Sequence, residues 1–185
     1  MRKIGLWLFV IVFFGMTKGN AQQLDLQAQI DAAQEGTVIQ LEKGVYEGNI
    51  IITKSIFLEG EEGTILKSSA DVPAITIENT SDVAIRNIEI ETPGTGMTIR
   101  KANDIKLSNI NMENVDAGIK IYSAHDVLGS ELTIGGNTQH YSNKGNGIAI
   151  DESKSIELLD NHIRSVQDGF YIENVNDITM QGNTV

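Results

Sequence analysis

PAITIENTSDVAIRNIEIETPG (73–94) and TGMTIRKANDIKLSNINMENVD (95–116) are two copies of one pattern, and the reading of that pattern decides the fold. A repeat has to be sought first because it changes the meaning of every local signal around it. Three further segments carry the pattern: AGIKIYSAHDVLGSELTI from Ala117, NGIAIDESKSIELLDNHIRSVQ from Asn146 and DGFYIENVNDITMQGNTV from Asp168. Ile75, Met97, Ile119, Ile148 and Phe170 are equivalent, which gives steps of 22, 22, 29 and 22 residues. One unit therefore carries an insertion.

Within each unit an apolar residue alternates with a polar one, as in Ile75 and Ile77, Ile119 and Ile121, or Ile148 and Ile150. A polar turn and a second alternating run follow. Period two is the mark of strands with one buried face. A 22-residue unit holds about three short strands and cannot bury its own apolar face, so neighbouring units must stack. The expected fold is all-β: a right-handed parallel β-helix with 22-residue coils. Residues one repeat apart then lie about 4.8 Å apart on adjacent strands, so columns of equivalent residues become ladders. Asn87 with Asn109, and Asn161 with Asn183, read as structural ladders, because Asn tolerates left-handed turns and its amide bonds along a stack.

Ahead of the repeats, QLDLQAQIDAAQEG (23–36) places Leu26, Ile30 and Ala33 on one helical face and stops at Gly36. Residues 22–36 are expected to form a short amphipathic helix that caps the first open coil. The β-helix then spans 37–185, with irregular first strands around Val38 to Leu41, Ile50 to Ile52, Ile56 to Leu58 and Thr64 to Leu66. The extra residues of the long unit fall in GGNTQHYSNKG (135–145), a glycine-flanked polar loop of the kind that lines one face of a solenoid. Val185 lies inside an expected strand with no capping element after it, so the solenoid is expected to be truncated at its C-terminus.

Residues 1–21, MRKIGLWLFVIVFFGMTKGNA, have the form of a signal peptide: a basic start, an apolar run from Ile4 to Phe14, and small residues before the expected cut after Ala21. The run is shorter than the roughly 20 residues that span a bilayer. The expectation is a secreted or periplasmic protein with no membrane insertion after cleavage. Cleavage leaves 11 basic against 25 acidic side chains, a net charge of −14. That deficit of Lys and Arg excludes nucleic acid as a partner, since phosphate binding works through clustered basic residues. The chain has no Cys, which excludes thiol chemistry and Cys-based metal sites and leaves stability to packing. Its 26 Ile against 12 Leu fit a strand-built core.

Column assignment sorts the residues that carry chemistry. Met97 aligns with Ile75 and Ile119, Met112 with Ile90 and Ile134, and Met180 with Ile85 and Leu107, so all three fill core rungs. His125 lies in a turn column with Ser81 and Asn103, and His140 lies in the insertion. The two approach each other if the insertion folds back, with Asp126 or Tyr141 nearby, which makes His125 and His140 the candidate metal ligands. The alternative is a pair of exposed polar side chains. His162 falls in an outward column with Glu89, Asn111 and Thr133.

Glu78, Arg100, Tyr122, Asp151 and Glu173 form one outward column, and Thr76, Thr98, Lys120, Ala149 and Tyr171 its neighbour. Tyr122, Asp151, Tyr171 and Glu173 are the candidate ligand face. Stacked carboxylates can bind a cation or share acid and base roles, and exposed Tyr rings stack on sugars. The same columns also suit a plainly solvated face. No Ser-His-Asp set, nucleophile elbow or phosphate loop is readable, and no catalytic residue is assigned.

The stretch LQAQIDAAQEGTVIQLEKGVYEGNIIITKSIFLEGEEGTIL (26–66) resembles the start of NosD-like exported β-helix proteins, described as periplasmic copper-binding or nitrous-oxide-reductase accessory proteins. The resemblance rests on IDAA, GTVIQLEKGVYEGNI and KSIFLEGE, with the later DNHI and GNTV turns. It implies copper as the cofactor, a copper enzyme or membrane transporter complex as the partner, and a non-enzymatic accessory or copper-binding role in maturing that enzyme. The same structural elements recur in carbohydrate-binding and sugar-hydrolase β-helices. The alternative is therefore a cell-surface or secreted carbohydrate-binding or carbohydrate-active β-helix of lyase, hydrolase or epimerase type, with a glycan as partner.

Overall fold

A computed structural model of the chain describes residues 25–47, 49–69, 72–137 and 145–185. The expected signal peptide, the preceding part of the expected helical segment and residues 138–144 of the insertion, with His140 and Tyr141, lie outside these residues.

The chain winds as a parallel β-helix of three faces. The first coil consists of β1 (Thr37–Leu41), β2 (Gly44–Glu47) and β3 (Ile50–Ile52); the second, of β4 (Ile56–Gly60), β5 (Thr64–Lys67) and β6 (Ile75–Glu78). In the third and fourth coils, β7 (Ser81–Glu91) and β9 (Asn103–Val115) each run through two faces without a break, followed by β8 (Thr95–Arg100) and β10 (Ala117–Tyr122). The fifth coil is β11 (His125–Ser130), β12 (Thr133–Gly136) and β13 (Ile148–Asp151), and the sixth β14 (Lys154–Leu159), β15 (His162–Arg164) and β16 (Phe170–Glu173). With β17 (Asn176–Gln181) that makes six complete coils and the opening face of a seventh. All ladders are parallel. β3, β6, β8, β10, β13 and β16 form the third face as a separate sheet, while the other two faces share one sheet through the bends in β7 and β9.

The register follows the repeat. Ile75 pairs with Met97, Met97 with Ile119, Ile119 with Ile148 and Ile148 with Phe170. β-Branched side chains are stiff and pack well on a pleated surface, so inward positions fill with Ile. Ile52, Ile75, Ile77, Ile99, Ile105, Ile148 and Ile150 are all sealed from solvent in one continuous core, as are Met97 and Met112. Met180 shares its column with Leu158 but is 41% exposed, because β17 is the outermost strand of its face.

Corners need left-handed backbone, and the polar turns supply it. Asn79, Lys101, Ser123, Glu152 and Asn174 have positive φ at one corner, and Asp82, Asp104, Asp126, Ser155 and Asp177 at the step that follows. Asp and Asn are the side chains best suited to that region. The bends in β7 and β9 fall at Asn87 (φ 58) and Asn109 (φ 49), and the Asn109 amide donates to the Asn87 side-chain oxygen at 2.9 Å.

The first coil is closed by α1 (Leu26–Ala32), which buries Leu26 and Ile30 on its open end. The Asp25 side chain accepts from the Ala28 amide at the helix start. The Lys54 ammonium donates to the Asp31 and Ala33 carbonyls at its end. β3 would present an unpaired edge, but the Gln27 carboxamide takes the place of the missing strand: it accepts from Ile51 N at 2.7 Å and donates to Ile51 O at 3.1 Å. The strand β2 has no counterpart in the sequence reading, since Gly44-Val45-Tyr46-Glu47 shows only one inward residue, Tyr46.

Outward columns are tied by charge. Arg86 and Gln40 both bond Glu59 from the rungs on either side, and these bonds hold the Glu59 carboxyl below its ordinary range. Arg164 forms a two-pronged pair with Glu113 although the two lie two coils apart. The rung between them is Gly135, whose missing side chain leaves the gap: a Cβ there would sit 2.1 Å from Glu113 Oε2.

Candidate functional site

The third face is the place where the outward columns hold chemistry. Parallel register puts Tyr122 beside Asp151 and Asp151 beside Glu173, and in the neighbouring column Lys120 beside Ala149 and Ala149 beside Tyr171. Adjacent rungs are about 4.8 Å apart, so all four ligand-face candidates come together on one patch. Tyr122 is 39% exposed and Tyr171 47%, enough to offer a ring face to a ligand.

A groove of about 370 Å³ opens between these columns. Its floor is Ala149, a small residue flanked along the column by Lys120 and Tyr171, and the dip exists because a methyl stands where its neighbours carry long side chains. Tyr122 and Asp151 form one wall, while Asn146, Gln167 and Asp168 contribute from the strand-entry side.

Hydrogen bonds fix two of the groups. The Tyr171 hydroxyl donates to Glu173 Oε2 at 2.9 Å. That bond and the charge of Glu173 raise the Tyr171 pKa above the ordinary phenol value, with Asp151 and Asp168 adding to it. Asp151 Oδ1 accepts from the Asn174 amide at 3.0 Å and from Glu152 N at 2.8 Å. Neither Lys120 nor the Asp168 carboxylate makes a side-chain hydrogen bond or ion pair among the described residues. Among the described residues the patch thus combines one held ring, Tyr171, with polar groups that have no side-chain partner, which suits recognition.

A second, wider groove of about 850 Å³ runs along the next corner, past Ser123, His125, Asp126, Glu152 and Lys154. His125 Nδ1 lies 3.0 Å from Asp126 Oδ2. Lys154 occupies the next rung of the column, so the neighbour of His125 there is a cationic side chain and not a further metal donor. The other metal candidate, His140, lies outside the described residues. His162 is on the second face, with Nδ1 2.7 Å from the Thr184 hydroxyl.

Copper needs several N or S donors converging on one point. Among the described residues no group of three or more His, Asp or Glu side chains is placed to hold a metal ion, and Met97 and Met112 are sealed in the core. The described donors do not fit a copper centre.

Of the Asn ladder residues, Asn161 is the buried one. Asn161 is 1% exposed and occupies the inward column of Leu132, where the earlier coils carry Ile88 and Ile110. Its side chain accepts from Leu132 N at 2.9 Å and donates to Gly129 O at 3.0 Å and to Asn183 Oδ1 at 2.9 Å. Sequence reasoning missed Lys120, Asn146, Gln167 and Asp168 as groove residues. The signal that was available is the small Ala149 in a column of larger residues.

The comparisons with known proteins concern both the fold and the family. A family profile described as "Periplasmic copper-binding protein (NosD)" matches residues 48–185. No curated protein matches the sequence. Among solved structures, a proposed glycosyl hydrolase from Parabacteroides merdae is similar with a TM-score of 0.73 and 12% identity, over 86% of each chain. ORF18 of Geobacillus virus E2 is similar with a TM-score of 0.71 and 18% identity, over 85% of this chain and 38% of that one. An alginate lyase from Paenibacillus sp. FPU-7 is similar with a TM-score of 0.68 and 13% identity, over 85% of this chain and 72% of that one. At such identities the likeness concerns the fold. Among the described residues no helix is long and apolar enough to cross a membrane.

Proposed function

The chain belongs to the NosD family of periplasmic copper-binding β-helix proteins, and on that footing we propose that it is a non-enzymatic accessory factor that acts outside the cytoplasm in the maturation of a copper enzyme. The observation that carries this reading is the family match across the β-helix, residues 48–185. In this reading the open grooves and outward columns of the stack are the surfaces offered to the enzyme or to its partner transporter. The described donor set supports contact over carriage of the metal.

A titration of the purified chain with Cu(I) and Cu(II) in the presence of a competing chelator tests this. The expected result is no stoichiometric copper retained against the chelator. One tightly held equivalent that disappears in a His125→Ala, His140→Ala double variant overturns it and makes the chain a copper carrier.

A second reading, a glycan-binding β-helix at the cell surface, is favoured by the exposed Tyr122 and Tyr171 rings around the third-face groove. Two of the similar folds belong to a proposed glycosyl hydrolase and an alginate lyase.

A further inference from the structure

We propose that the third-face groove is a subsite for a single sugar ring that carries no carboxylate, that is, a neutral hexose or an amino sugar. This rests on the glycan reading and goes further by naming the place and the charge of the ligand. The floor at Ala149 is one rung wide, with Lys120 below and Tyr171 above, which sets the opening at the scale of one ring. Its volume of about 370 Å³ lies at the small end of ligand sites.

Sugar recognition needs a flat apolar surface for the ring's C–H face and polar groups aimed at adjacent hydroxyls. Tyr171 offers the surface, and its hydroxyl bond to Glu173 holds the ring in place before any ligand arrives, so little is lost in ordering it. The second oxygen of Asp151, the Asp168 carboxylate and the Lys120 ammonium line the same groove and have no other side-chain partner among the described residues, giving an acceptor at the Tyr122 wall, another on the strand-entry side and a donor from the column of the floor. Two carboxylates face one ammonium in the lining, with Glu173 immediately behind Tyr171. A uronate would bring its own carboxylate into that excess of negative charge, whereas an amine would be drawn to it.

Calorimetric titration of the purified chain with cellotetraose, chitosan tetramer and tetragalacturonate separates the outcomes. Saturable binding of the neutral or the amino sugar is expected, with no heat from tetragalacturonate. Affinity should fall by about tenfold or more in Tyr171→Ala, which removes the stacking surface, and also in Ala149→Leu, which fills the dip and removes no contact. Unchanged thermal unfolding by circular dichroism shows that both variants keep the fold. Preferred binding of tetragalacturonate, or full binding by Ala149→Leu, overturns this inference and leaves the glycan reading standing. No binding of any of the three sugars overturns both.

Discussion

Asn161→Ala is expected to remove about 3–5 kcal/mol of stability, because it strands two buried backbone groups at once. The Asn161 side chain is the partner of Leu132 N and of Gly129 O, and it is 1% exposed, so water does not replace it. An unsatisfied buried donor or acceptor costs about 1–3 kcal/mol, and the vacated volume adds to the loss. Asn183 loses its bond to the Asn161 amide as well, although it keeps its own donation to Leu158 O. For a chain of this size the melting temperature should drop by about 2–4 °C per kcal/mol, so a shift near 10 °C is expected in thermal unfolding by circular dichroism. Asn161→Leu restores the apolar column of Ile88, Ile110 and Leu132 and leaves no void. It should still lose about 2 kcal/mol or more, because the two backbone groups stay unpaired. A leucine variant as stable as the parent would show that the amide does not hold this corner.

Gly118→Val should be at least as damaging, through crowding. Gly96, Gly118, Gly147 and Gly169 stand at the start of the third face on successive coils, each against the carbonyl of the next where a next one exists. A Cβ on Gly118 would lie 2.2 Å from Gly147 O and 2.7 Å from Ile134 Cγ2. Gly147 O cannot retreat, since it accepts from Ile119 N at 2.9 Å in the ladder that joins the two coils. Forcing atoms into a packed interior costs about 1–3 kcal/mol even where side chains can yield, and here the obstacle is backbone. The expected outcome is loss of more than about 3 kcal/mol or failure to fold. Gly129→Ala is the contrast: its Cβ would meet only the tips of Leu132 and Leu158 at 3.1 and 3.2 Å, which can shift, so its melting temperature should stay close to the parent's.

These glycines show what the repeat made legible and what it did not. Register was readable column by column from Ile75 onward, because one 22-residue step with one insertion keeps inward and outward positions in phase. The glycine before each first inward residue, in TGM, AGI, NGI and DGF, is equally visible, but only the corner geometry shows that it marks a close approach of backbones. Glu113 and Arg164 were hidden for a related reason: ladder reasoning pairs nearest rungs, and this ion pair skips one because Gly135 leaves room. β2 escaped notice because a strand with a single inward residue has no period to detect.

On the candidate face, Tyr122, Asp151, Tyr171 and Glu173 were brought onto one patch by column logic alone. The groove was not, since a concavity comes from what Ala149 lacks and from Gln167 and Asp168, which lie outside the strands. His125 was placed in its turn column by the same logic, while its contact with Asp126 is visible only in the structure.

The accessory role is tested most directly by deleting the coding sequence in its own host and measuring copper per molecule in the copper enzymes exported there. The expected result is an exported enzyme that is normally abundant but poor in copper and in activity, restored by returning the parent chain. Full copper content and full activity in the deletion strain would contradict it.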